Sequence, residues 1–187
     1  MSYDALAESL RLLDGAPPAA DARLSRRVRH LPLAVDRVDD VAATMFLRRG
    51  VNGAPEIDVH VLERVDGRWV LLGGGGGPGE EAVRPRPALA ALGGPAVSSG
   101  GGSTARRHSG WWPRIRDSSV HHAEVFAARE VAALRVDDRV VPVAAHGCAV
   151  VVWTRRAPAI TALDRDGEEL GTVVPLRLDQ CAMPPWY

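Results

Sequence analysis

The chain has 187 residues, 46% of them hydrophobic, with 23 basic and 23 acidic residues in formal balance. That predicts one folded β-rich domain over 1–187, since the chain is too apolar for disorder and carries no global charge pulling it toward nucleic acid or an anionic membrane. Every basic residue is arginine, so a phosphate-loop lysine and a Schiff-base lysine are both excluded.

Arginine without lysine, together with heavy Ala, Gly and Pro use, reads as a GC-rich coding sequence of bacterial type. The opening Met1-Ser2-Tyr3-Asp4-Ala5 has neither the basic start nor the apolar run of a secretory signal. No stretch approaches the ~18 apolar residues of a membrane helix. A cytoplasmic location with Cys148 and Cys181 reduced, and no membrane partner, is the expectation.

In chain order, Leu6, Leu10 and Leu13 recur at helical spacing, Asp4 can cap the start, and Gly15-Ala16-Pro17-Pro18 stops the run; residues 4–14 are expected to be a short helix. Residues 41–47 read as a strand closed by Arg48-Arg49-Gly50. From Glu56 to Val65, Ile57, Val59 and Val61 alternate with Glu56, Asp58 and His60, which predicts a strand with one buried and one solvated face. Asp66-Gly67 then joins it to Arg68-Trp69-Val70-Leu71-Leu72, a hairpin signal because both turn residues take positive φ.

Residues 73–110 change character. Gly73 to Gly77 is a run of five glycines in sequence, and Gly93-Gly94-Pro95 and Ser98-Ser99-Gly100-Gly101-Gly102-Ser103 follow. With so little side chain to bury, this composition predicts a long flexible Gly/Pro/Ser-rich insertion, with a helical turn at Ala88–Leu92. Residues 120–126 are compatible with strand or helix.

From Val131 onward short apolar runs alternate with turns at Asp137-Asp138, His146-Gly147 and Asp164-Arg165-Asp166-Gly167. Pro142 lacks an N–H, so its strand belongs at a sheet edge. Cys148 to Trp153 is apolar on both faces, as an interior strand is. The pattern from Val131 to Val174 resembles that of immunoglobulin-like modules. The fold class expected is therefore mainly β: an antiparallel β-sandwich or open barrel with a short N-terminal helix.

Four patterns bear on chemistry. The glycine run follows a strand, where phosphates are often held. It lacks a Gly-Lys-Ser/Thr ending, contains Pro78 and leads into Glu80-Glu81, so a flexible loop is the better reading and no nucleotide cofactor is expected. Arg106, Arg107, Trp111, Trp112, Arg114 and Arg116 interleave guanidinium groups with indoles, a combination suited to an acidic or phosphorylated partner; with neutral overall charge, nucleic acid is not expected. The six histidines match no metal-ligand spacing, and no metal is expected. No Gly-x-Ser-x-Gly elbow is present, and Cys148 inside an apolar strand would be an unreactive thiol.

These observations favour a non-catalytic binding or regulatory module with a protein partner, its oligomeric state left open. The alternative is a small hydrolase or metal-dependent enzyme built from histidines that converge from separate strands, among them His60, His108, His121, His122 and His146.

Overall fold

A computed structural model describes residues 3–107 and 119–174, and over these the protein is mainly β, with antiparallel sheets and a few short helices. The first helix, α1 (Ala5–Leu13), starts where the sequence predicts: Asp4 has extended backbone and its carboxylate accepts a hydrogen bond from Ala7 N. Its buried positions are Ser9 and Leu12, with Leu6, Leu10 and Leu13 half-buried, so the packed stripe is rotated from the leucine spacing.

Four strands, β1 (His30–Val38), β2 (Val41–Arg49), β3 (Pro55–Val65) and β4 (Arg68–Pro78), form a sheet in chain order. The β3–β4 turn has Asp66 at φ 49° and Gly67 at φ 79°, the paired left-handed conformation that the Asp-Gly signal requires. Ile57, Val59 and Val61 are buried as the alternation predicts. The opposite face of β3 differs from the expectation, because α1 lies on it: His60 is only 7% exposed, and its Nδ1 is 3.0 Å from Ser9 Oγ. Thr44 Oγ1 is 2.8 Å from the same hydroxyl, and Tyr3 OH is 3.3 Å from His60 Nε2. Ser9 donates to Ala5 O, so this network fits a neutral ring that donates from Nδ1 and accepts the tyrosine proton at Nε2. Burial correspondingly lowers the His60 pKa.

The segment read as a flexible insertion holds strands in the structure. Gly73 to Gly77 continue β4, in register with Val61 to Ile57 of β3. Ala96–Ala105 forms β5, which pairs with β6 (Ser119–Ala127). Two short helices lie between, α2 (Glu80–Val83) and α3 (Leu89–Leu92), the second at the predicted helical turn. The strands form without side-chain patterning because paired neighbours supply the backbone hydrogen bonds. Residues 120–126, compatible with either state in sequence, are strand.

Strand β9 (Cys148–Trp153) completes a three-stranded sheet in the order β5-β6-β9. A third sheet contains β7 (Ala133–Val136), β8 (Arg139–Pro142), β10 (Ile160–Leu163) and β11 (Glu169–Val173), in the order β11-β10-β7-β8. Pro142 thus lies on an edge strand, as its missing N–H demands. The run from Val131 to Val174 is divided between two sheets, since β9 leaves it to pair with β6.

The three-stranded sheet is a shared wall. Cys148, Val150 and Val152 face a core with Leu33, Met45, Val59 and Val61 of the first sheet. Ala149 and Val151 face the other way, into a core with Leu134, Val136, Ile160 and Ala162 of the third. This explains why β9 is apolar on both faces. The first sheet meets the shared wall along two seams, β1 beside β9 and β4 beside β5, and no strand pairing joins either seam among the described residues. No helix among the described residues is long and apolar enough to cross a membrane.

Candidate functional site

The β1–β9 seam is closed by one carboxylate. Asp36, 5% exposed, accepts from Val152 N at 2.8 Å. It also takes a two-pronged bond from Arg139 of β8, at 2.9 Å from Nε and 2.7 Å from Nη2. Arg139 Nη2 donates in addition to Val152 O at 2.7 Å, so one ion pair ties all three sheets.

The β4–β5 seam is lined by glycine and, among the described residues, carries an ion-paired lock at Arg106 only, at the end of β5. On β6, Val120, His122, Glu124 and Phe126 point to its inner side, because alternate strand residues share a face. Opposite them on β5 are Gly102, paired with His122, and Gly100, paired with Glu124. A Cβ on Gly102 would stand 2.7 Å from His122 Cε1, and one on Gly100 would stand 2.8 Å from Glu124 Cδ. Any larger residue at either position would collide with the side chain lying across it. From the facing strand, a Cβ on Gly75 would reach 3.9 Å from His122 Nε2.

Among the described residues, neither His122 nor Glu124 finds the partners its burial calls for. His122 is 4% exposed, and both ring nitrogens are buried without a hydrogen bond to any described residue. Each such group costs about 1–3 kcal/mol if nothing pairs with it. Burial, reinforced by the neighbouring His121, lowers the His122 pKa, so the ring is neutral at pH 7. Glu124 is half-buried, and burial raises its pKa, with no ion pair among the described residues to offset it.

A cavity of about 700 Å³ opens at this end of the seam. Its apolar lining comes from Met45, Ile57, Val97, Phe126 and Cys148, contributed by five different strands. Glu124 stands in its wall, and Glu80, Glu81 and Arg84 of α2 and its C-terminus stand around it. Three carboxylates against one guanidinium make the lining acidic. A register irregularity between Ser98 and Gly100 places Ser98 and Ser99 at the same cavity.

Arg86 holds this end in place. Its guanidinium donates to the carbonyls of Ala127 at 3.2 Å, Ala144 at 3.3 Å, Val131 at 2.7 Å and also Ala128, fastening the α2–α3 connection to the end of β6. Burial lowers the Arg86 pKa, and no carboxylate among the described residues is bonded to it.

Of the residues singled out in the sequence, Arg106 bonds Glu63 through Nε at 2.7 Å and also pairs with Asp40. It thereby pins the end of β5 to β3 and to the β1–β2 turn. Burial opposes its charge, but the bond to Glu63 and the charge of Asp40 prevail and raise its pKa. Arg107 donates its backbone N–H to Glu63 at 2.8 Å and leaves its side chain exposed. Trp111, Trp112, Arg114 and Arg116 lie outside the described residues, as do His108 and Cys181.

The remaining histidines stay apart. His60 lies under α1, His121 stacks on Trp153 with ring centroids 5.8 Å apart, and His146 accepts from Cys148 N at 3.1 Å. Among the described residues no group of three or more His, Cys, Asp and Glu is placed to hold a metal. Burial pushes the Cys148 thiol up to about 12, which keeps it protonated in the cavity wall. The chain matches no family model, no curated protein and no solved structure.

His122 and Glu124 were not singled out as a pair by the sequence reading. The signal was present in Val120-x-His122-x-Glu124-x-Phe126, where two titratable groups interrupt an otherwise apolar face at period two.

Proposed function

We propose that the protein is a non-catalytic binding module that takes a small, partly apolar ligand into the cavity beside the β4–β5 seam. The observation that carries this reading is the cavity itself: about 700 Å³, floored by apolar side chains, with one desolvated carboxylate in its wall. That volume and mixture are characteristic of small-molecule sites. The reading takes the first sheet and the β5-β6-β9 sheet as an open barrel with the cavity at one end, the barrel member of the sandwich-or-barrel pair expected from the sequence. It places the protein in the cytoplasm, where Cys148 stays reduced.

Two features support binding over turnover. The thiol in the wall is held protonated, and the described histidines do not gather at the cavity. A hydrolase of the kind considered above needs two histidines beside a carboxylate, whereas the seam pairs Glu124 with His122 alone.

The test is titration of the full chain with the neutral dye Nile red, followed by fluorescence. Saturable one-to-one binding is expected, and Val97→Trp, which fills the cavity, should abolish it while the far-ultraviolet circular dichroism stays unchanged. Absence of saturable binding, or equal binding by the filled variant, overturns the reading.

A further inference from the structure

We infer that the ligand is a primary amine carried on an apolar body, its ammonium group received by Glu124. The inference rests on the binding reading above and names the chemistry that the same cavity selects. It starts from two side chains on one face of β6. Glu124 is in the cavity wall, and His122, two residues away on the same face of β6 and about 6.6 Å along it at the rise of a β-strand, lies outside the cavity lining.

Both are accommodated by glycine. The contact distances at Gly100 and Gly102 show that β5 carries no side chain exactly where these two groups lie across it. Among the described residues, that space holds polar atoms without a partner: both ring nitrogens of His122, at 4% exposure, and the Glu124 carboxylate, which makes no ion pair.

A ligand that completes this arrangement must bring donors and positive charge. A carboxylate only accepts, and a neutral imidazole offers one accepting nitrogen. A primary ammonium supplies both donors and charge to Glu124. Glu80 and Glu81 beside the cavity favour a cation over an anion, with Arg84 as the single opposing charge. Met45, Val97 and Phe126 then contact the apolar body. A carboxylate ligand would meet like charge, and an alcohol would leave Glu124 without a counter-ion.

The experiment uses three matched compounds, 4-phenylbutylamine, 4-phenylbutanol and 4-phenylbutanoate, titrated calorimetrically into the full chain at pH 7.5. The amine is expected to bind at least tenfold more tightly than the alcohol, and the carboxylate more weakly than either. Glu124→Gln should bring the amine to the affinity of the alcohol and leave the alcohol unchanged.

Equal affinity of amine and alcohol in the unaltered protein overturns the inference and leaves the binding reading standing. Failure of all three to bind overturns both. An amine preference that survives Glu124→Gln removes the assignment to this carboxylate.

Discussion

The two seams between the first sheet and the shared wall are built on opposite principles. At β1–β9 a buried carboxylate finds a guanidinium and a backbone N–H, and of the polar groups named there only His146 Nε2 lacks a partner among the described residues. At β4–β5 a histidine and a glutamate are buried or half-buried without a side-chain partner among the described residues, between strands reduced to glycine. The first seam holds the molecule together. The second gives up stability to keep space and unpaired polar atoms, which is how binding sites commonly differ from the scaffold around them.

The largest expected effect comes from breaking the closed seam. Asp36→Ala leaves Arg139 without its partner and Val152 N without its acceptor, and should cost about 3–5 kcal/mol. Urea unfolding followed by fluorescence should show the midpoint falling with little change in slope; a loss below about 1 kcal/mol would mean that the seam is held by packing alone.

Acid probes the same seam at its other end, where His146 accepts from Cys148 N. Burial, with Arg86 adding to it, lowers the His146 pKa to about 4. A histidine with a lowered folded pKa contributes stability above its unfolded value near 6.5 and loses it as pH falls toward 4. For His146 that contribution is about 3 kcal/mol, and His60, His121 and His122 shift in the same direction. Melting temperatures between pH 7 and pH 4 should therefore fall, and His146→Gln should flatten the profile over that interval.

At the open seam the effects are smaller. Gly102→Val forces a methyl group against His122 and should cost about 1–3 kcal/mol by differential scanning calorimetry. Glu124→Gln should act in the opposite direction. A carboxylate whose folded pKa is raised opposes folding once it ionises, so its removal should stabilise the protein at pH 7, read as a rise in Tm. Below pH 4 the two forms should melt together. A destabilised Glu124→Gln at pH 7 would mean that the open seam is as fully paired as the closed one.

What the sequence made legible followed from local physics. Asp4, the Asp66-Gly67 turn, Pro142 and the alternation of Ile57, Val59 and Val61 each impose their conformation through immediate neighbours. The glycine strands could not be read this way, because their order comes from β3 and β6, which lie elsewhere in the chain. The burial of His60 depended on where α1 docks, a fact with no trace in the alternation of β3. The cavity was equally hidden: Met45, Ile57, Val97, Phe126 and Cys148 converge only when five strands are assembled. Arg106 was noticed for its charge, yet that charge is committed to Glu63 and Asp40, whose proximity is also a product of assembly.

The double-faced strand β9 bears on how the chain is made. Both apolar interiors need it, and it emerges from the ribosome after most of the residues it must cover. A nascent chain halted before Cys148 would present the uncovered sides of Met45 and Val59 together with those of Leu134 and Val136 to the crowded surroundings of synthesis. Commitment to the native state therefore awaits a six-residue segment late in translation, and chaperone contact should be heaviest immediately before it appears.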